Sequence, residues 1–288
     1  MTTASPAEGL SAILMGRDEE GFLPLSLPPL ARVADEIIFV DTGSSDRTLE
    51  IVRQFGCRVW HRPWDNDFSA PKNLALEHAR FRWILNVDCD EVLQEDPDWR
   101  ARILGQCRAS NAPAWIVRID NRMANGNILP SQALRLFRND ARIRFANPVH
   151  EGIADSIYRH WPGVPPEKID LCLVHHGYSA GLNPEKIRRN VAILRQWVAR
   201  DPGTVYGQYK LGMNLRFLGS TSEGLYHLEQ AVALADRDPD RDSLTFLEEL
   251  IPAAYRASLE AGLPEKAETI KRIVSAWCQT DPHKDCHP

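Results

Sequence analysis

Asp88 and Asp90 follow the apolar run Phe81 to Val87 without a break, with Cys89 between them. A strand carrying that run delivers both carboxylates to a sheet edge, close together. Two carboxylates so placed repel unless a cation separates them. A hard divalent ion, Mg²⁺ or Mn²⁺, suits oxygen ligands of this kind and commonly binds a substrate diphosphate at the same time. A third carboxylate, Asp41, ends a second apolar run, Glu36 to Asp41. A bare Asp-x-Asp reads more plainly as a solvated acidic turn. Its place directly after a strand, with Asp41 at a second strand end, favours a site.

Other residues extend that chemistry, each with a plainer alternative. His175 closes another apolar stretch. It either completes a metal shell, since imidazole also binds Mn²⁺, or is a packed histidine. Arg135 and Arg138 lie three apart in a strand-like run and should point to opposite faces, so at most one reaches a diphosphate unless the strand bulges. The planar guanidinium fork suits phosphate, and a surface salt bridge is the simpler use of it. Lys72, at a helix start, is a phosphate contact or a solvated lysine. Cys278, His283, Cys286 and His287 match no standard zinc spacing and read as a polar terminus.

The elements that must position these groups alternate. Leu10 to Met15, Glu36 to Asp41, Cys57 to His61 and Phe81 to Val87 read as strands, and Arg47 to Phe55 and Lys72 to Arg80 as helices. Ser69 is the expected cap of the second helix, with Pro71 in its first turn. Such alternation argues for an α/β fold with a mostly parallel sheet, in which ligands bind at the carboxyl ends of strands. Asp41 and the Asp88–Asp90 pair should then face one cleft. After a helix near Pro97 to Cys107, the runs Ala114 to Met123 and Ile128 to Phe137 flank Asn125-Gly126, a hairpin signal.

From Asn183 onward the strand signal disappears and helical segments follow one another. Leu211, Gly212, Leu228 and Ala231 fit tetratricopeptide packing positions, with an insertion expected near Asp236 to Asp242. Two domains are expected, over residues 1–180 and 181–288.

The composition sets limits. The 288 residues suffice for a substantial core, and a formal net charge of -5 argues against nucleic acid as the main partner. No signal peptide and no apolar run long enough to span a bilayer is visible. The six cysteines form no Cys-x-x-Cys pair, as suits a reducing compartment. A cytoplasmic protein is expected, with peripheral attachment to the inner face of a membrane permitted.

Several segments together resemble family 2 glycosyltransferases. They are Glu36 to Thr48, Pro63-Trp64, Lys72-Asn73-Leu74-Ala75 and Trp83 to Glu91. Arg135-Leu136-Phe137-Arg138-Asn139, Val149-His150-Glu151 and Val174-His175-His176-Gly177-Tyr178 narrow the likeness to a bacterial branch that joins this domain to tetratricopeptide-like helices. The resemblance covers roughly residues 10 to 235. It implies a nucleotide-diphospho-sugar transferase A-type, Rossmann-like mixed sheet, followed by a helical repeat-like domain. It also implies a hexosyltransferase-type enzyme that inverts the anomeric carbon, with a UDP-sugar as the expected donor and a glycan, lipid-linked or peptide acceptor.

By the same likeness, Asp41 contacts the nucleobase, and Asp88 and Asp90 hold ribose and metal-diphosphate. Arg17, Glu19, Lys72, Asn73, Arg135 and Arg138 join the donor site, and His175 the metal. Arg17-Asp18-Glu19 stands where the family usually has Lys-Asn-Glu. Cys89 replaces the commoner Ala and should point away from the cleft. Inverting transfer needs one general base. Glu151 is the first candidate, with His150 beside it and Asp120 as a rival; the alternative is that His150 and Glu151 merely pin a loop.

Two other functions use the same residues. Asp88 to Val92 after a strand also resembles the nucleophile motif of haloacid-dehalogenase-type phosphatases, but no downstream Gly-Asp-x-x-x-Asp pattern accompanies it. A degenerate transferase domain could instead serve as a scaffold whose helices bind a protein partner. The intact Asp41, Asp88 and Asp90 argue against degeneracy.

Overall fold

The computed structural model describes residues 6–177, 183–239, 241, 244 and 246–280. The chain divides after Leu182 into two compact units.

In the first unit the described residues form one sheet of eight strands. They are β1 (Ala7–Gly16), β2 (Glu36–Asp41), β3 (Arg58–His61), β4 (Phe81–Asn86), β5 (Glu91–Leu93), β6 (Ala114–Arg122), β7 (Ile128–Arg138) and β8 (Glu167–His175). The spatial order is β3-β2-β1-β4-β7-β6-β8-β5. The first four strands are mutually parallel. β7 then runs antiparallel to both β4 and β6, β8 is parallel to β6, and β5 is antiparallel to β8. The sheet is therefore mixed. It is followed by helices, as expected.

Alternating side chains bury both faces of the parallel half, as such sheets require. Leu10, Leu14, Phe39, Trp83 and Leu85 enter one core. Ile13, Ile38, Val40, Ile84 and Phe137 enter the other. The helices of this unit are α1 (Leu23–Val33), α2 (Thr48–Gln54), α3 (Ser69–His78), α4 (Trp99–Ala109) and α5 (Ala154–His160).

α1 has no counterpart in the sequence reading. It contains Pro28 and Pro29, which normally break a helix. Leu23, Leu27 and Leu30, one face at helical spacing, are nevertheless completely buried. That burial outweighs the missing backbone bonds.

The placing of β5 shapes the site. It follows β4 in sequence yet is the edge strand, four places away in the sheet. In a flat sheet four strand spacings, about 19 Å, would separate them. The chain instead makes a turn closed by Glu91 N donating to Asp88 O at 2.9 Å, which spans under about 7 Å. The intervening strands must curl to bring β5 back beside the end of β4.

The second unit consists of α6 (Pro184–Arg200), α7 (Val205–Phe217), α8 (Thr221–Arg237), α9 (Leu247–Glu260) and α10 (Pro264–Thr280). Asn183 caps α6 by accepting from Glu185 N, and Thr204 caps α7 by accepting from Gly207 N. α7 and α8 meet at two glycines. A Cβ on Gly212 would lie 2.8 Å from the Gly224 carbonyl and 2.8 Å from Leu228 Cγ. Only a residue without a side chain allows this approach, and Leu228 and Ala231 are fully buried beneath it. This is tetratricopeptide-like packing. The insertion expected near Asp236 to Asp242 falls partly outside the described residues, as do residues 281–288 and Tyr178. No described helix is long and apolar enough to cross a membrane.

Candidate functional site

The carboxyl ends of β2, β1 and β4 lie side by side, with Gly16 in register with Asp41. β1 separates the strand that ends at Asp41 from the strand that leads to Asp88. The order reverses there, which is where open α/β sheets bind ligands.

Asp88 sits in a network of alternating charge. Its Oδ1 lies 3.0 Å from Lys72 Nζ and its Oδ2 2.7 Å from Arg135 Nη2. Arg135 also reaches Glu91 Oε1 at 2.6 Å, and Glu91 Oε2 accepts from Asp88 N at 2.9 Å. Lys72 continues to Glu151 Oε1 at 2.7 Å. Burial works to raise the Asp88 carboxyl, and the charges of Arg135 and Lys72 more than offset it, holding it well below the usual carboxylate range. Burial likewise opposes charge on Lys72, but Asp88 and Glu151 push its pKa up. Glu91 is almost fully buried, and burial pushes its carboxyl up to about 7 despite Arg135.

Two cationic side chains, Lys72 and Arg135, thus answer the Asp88 carboxylate. Among the described residues no group of three or more His, Cys, Asp or Glu side chains is arranged to hold a metal. Of the three residues that the sequence assigns to a metal, Asp88 faces Lys72 and Arg135. Asp90 turns instead toward His175, its Oδ2 3.3 Å from Nε2.

The histidine is fixed from behind. Asn121 gives its two amide hydrogens to Leu129 O and to Ser131 Oγ, both at 2.9 Å. Its Oδ1 is therefore the atom facing His175 Nδ1 at 2.8 Å, and Nδ1 must carry the proton donated to it. In the neutral ring that leaves a lone pair on Nε2 aimed at a carboxylate oxygen. Two acceptors so placed call for a proton or a cation between them. Burial lowers the His175 pKa and the Asp90 contact raises it more, so the net shift is upward. The donor set of one carboxylate and one imidazole fits Mn²⁺ or Mg²⁺ completed by substrate oxygens. No side chain fits at Gly177, where a Cβ would collide with Asp90 Oδ2 and with His175 Nε2.

Glu151 owes its position to α3. Asn73 donates to Phe145 O and accepts from Phe145 N, both at 2.9 Å. Ser69 Oγ donates to Asn147 O, and Phe68 N to Pro148 O. Asp67, not Ser69, caps α3 by accepting from Ser69 N and Ala70 N. These bonds hold the loop so that Glu151 meets Lys72. His150, next to it, is exposed with φ +56.

The remaining expected residues have other surroundings. Asp41 is buried and accepts from Gly43 N at 3.2 Å and Ser44 N at 3.0 Å, with His61 Nδ1 at 3.3 Å. Arg17 is exposed and pairs loosely with Asp18. Glu19 N donates to Thr48 Oγ1 at 2.7 Å. Cys89 is buried toward the core. Asp120 lies on the Arg118 face of β6 and pairs with it at 3.0 Å, opposite Asn121. Arg138 does not join the cluster. It donates to Ser110 O and Ala112 O and lies over the Trp83 ring. The β6–β7 register shifts at Arg135, between the pairs Trp115–Leu136 and Ile116–Leu134, so simple alternation does not set the two arginines on opposite faces as the sequence suggested.

Glu91 and Asn121 received no role in the sequence reading. One signal was available for Asn121: it continues the inward stripe of Trp115, Val117 and Ile119 as a lone polar residue.

Residues 18–153, which hold Asp41, Lys72, Asp88, Arg135 and Glu151, match the family model "Glycosyl transferase family 2". The chain carries a family 2 glycosyltransferase domain. A TPR repeat-containing protein of Synechococcus elongatus is 34% identical over 212 residues, covering 70% of this chain and 51% of that protein. The SPbeta prophage-derived glycosyltransferase SunS of Bacillus subtilis is 25% identical over 203 residues, covering 69% of this chain and 47% of SunS. The chain thus spans about half the length of these curated relatives. Among solved structures, S. aureus TarS 1-349 aligns with a TM-score of 0.55 at 14% identity, covering 96% of this chain and 93% of that one. Its complex with UDP-GlcNAc aligns with a TM-score of 0.54 at 16% identity, covering 92% and 90%. At such identities the likeness concerns the fold of the family 2 domain and its helices.

Proposed function

We propose that the chain is an inverting glycosyltransferase that moves a sugar from a nucleoside-diphosphate donor, a UDP-sugar, to a hydroxyl of a glycan, lipid-linked or peptide acceptor. The observation that carries the reading is Lys72, held between Asp88 and Glu151 at the carboxyl edge of a family 2 domain. The UDP-GlcNAc complex of the structural neighbour supports a uridine donor.

In this reading the acceptor oxygen attacks the anomeric carbon while the bond from that carbon to the diphosphate oxygen breaks. Glu151 takes the acceptor proton, so one inversion results. Lys72 orients the Glu151 carboxylate. Asp41 and Asp88 line the nucleoside end of the cleft, and Lys72 and Arg135 place positive charge beside the diphosphate. Asp90 and His175 would hold a divalent cation, which when bound supplies Lewis-acid stabilisation of charge on the leaving diphosphate.

The test compares UDP-sugar binding and turnover, with Mn²⁺ and with chelator, in wild type, Asp90→Ala and Glu151→Gln. Asp90→Ala should lose the metal-dependent part of both. Glu151→Gln should keep binding and lose about 100- to 10,000-fold in turnover. If Asp90→Ala changed neither binding nor turnover, the reading would fail.

A further inference from the structure

Asn121 is a buried polar side chain that ties three strands together. It stands on β6 in register with His175 of β8 on one side and with Leu129 of β7 on the other. Every hydrogen-bonding atom of its amide that faces the protein is used: Oδ1 by His175 Nδ1, and Nδ2 by Leu129 O and Ser131 Oγ. Leu129 O is a carbonyl and can only accept. The amide therefore cannot turn over, and the proton on His175 cannot move to Nε2 alone without losing the Asn121 bond.

We propose that Asn121 is the positioning residue of the metal half of the site: it fixes the His175 tautomer and ring plane so that the Nε2 lone pair is presented to a divalent cation beside Asp90. This inference rests on the reading that Asp90 and His175 hold the cation. Asn121 does not touch substrate or metal. It acts through His175, as a carbonyl-type acceptor commonly does behind a metal-bound imidazole. The same amide bonds β7 of the β6–β7 hairpin, so His175 and that hairpin share one fixed point.

The experiment titrates the full chain with Mn²⁺ alone and follows loss of the free-ion EPR signal. Four proteins are compared after confirming that each melts cooperatively: wild type, His175→Ala, Asn121→Leu and Asn121→Asp. Leu removes the acceptor behind the imidazole and should weaken Mn²⁺ binding roughly 10- to 100-fold. Asp keeps an oxygen facing Nδ1 but cannot donate to Leu129 O. It should therefore loosen the hairpin and lower the melting temperature while keeping Mn²⁺ affinity at or above that of wild type.

A merely structural role predicts instead that both variants lose affinity in step with stability, and that pattern overturns the proposal. Because Asp retains the acceptor, the test survives a failure of the Leu variant to fold. Should His175→Ala bind Mn²⁺ like wild type, the metal reading itself is wrong. Should His175→Ala lose binding while both Asn121 variants keep it, only the role of Asn121 is overturned.

Discussion

Arg135 Nη2 bridges Asp88 and Glu91, 2.7 Å from one carboxylate and 2.6 Å from the other, although it lies 47 positions from Asp88 in the chain. One guanidinium thus joins the end of β4, the start of β5 and the hairpin strand β7. Arg138, further along the same strand, bonds Ser110 O and Ala112 O instead and has no part in this cluster. The two arginines should accordingly separate stability from function. Arg138→Ala leaves two carbonyl bonds unmade and should cost about 1.5–3 kcal/mol of stability. UDP-sugar affinity per folded molecule should stay unchanged. Urea denaturation and calorimetric titration measure the two quantities independently.

Lys72 is almost fully buried and answers two carboxylates. Lys72→Met leaves Glu151 without its ammonium and Asp88 with Arg135 alone. Removing one partner of a buried pair typically costs about 3–5 kcal/mol. Asp88 is 40% exposed and keeps Arg135, so the loss should fall at the low end, about 3 kcal/mol. Equilibrium denaturation of the purified variant gives the value, and a loss below about 1 kcal/mol would contradict the placement.

Gly177 approaches Asp90 and His175 so closely that a methyl group must displace one of them. A displacement near 1 Å at a reacting centre costs about 100-fold in rate. Gly177→Ala should therefore lose metal-dependent UDP-sugar turnover on that scale while the melting temperature barely moves. Turnover equal to wild type would show that the two side chains do not act together.

Asp35 gives a prediction for acid stability. Burial raises its carboxyl, but bonds from Arg100 and from Leu10 N outweigh this and lower the pKa below the ordinary value. A depressed carboxylate contributes stability above its unfolded pKa of about 3.9 and loses it as pH falls through the lower folded value. The melting-temperature gap between wild type and Asp35→Asn should be constant from neutral pH down to about 4 and shrink below it. A gap that instead narrowed only toward alkaline pH would refute the assignment.

In the helical unit, Gly212→Ala puts a methyl group 2.8 Å from a backbone oxygen that cannot rotate away. Overpacking of this kind costs about 1–3 kcal/mol. Circular dichroism should show a weakened helical transition. UDP-sugar binding at the family 2 domain should be unaltered.

Much of this protein follows from the sequence because the decisive signals are local. Runs such as Glu36 to Asp41 and Phe81 to Val87, each meeting carboxylates at its end, specify strands and the edge where chemistry collects. Alternation along the hairpin run sets Arg135 and Arg138 on opposite faces, but β7 shifts register at Arg135, and the run by itself does not reveal that bulge. The change from strands to helices after residue 182 is equally local.

Periodicity assigns a face but not a partner. That one guanidinium meets both Asp88 and Glu91 depends on the curl that returns β5 to the end of β4, and no segment encodes that curl alone. The tertiary structure decided that Lys72 and Arg135 neutralise Asp88, that Asp90 pairs with His175, and that Asn121 fixes the imidazole. It also formed α1 across Pro28 and Pro29, where burial of Leu23, Leu27 and Leu30 overrides local propensity. In each case the deciding energy comes from contacts between residues far apart in sequence, which exist only once the sheet has closed around them.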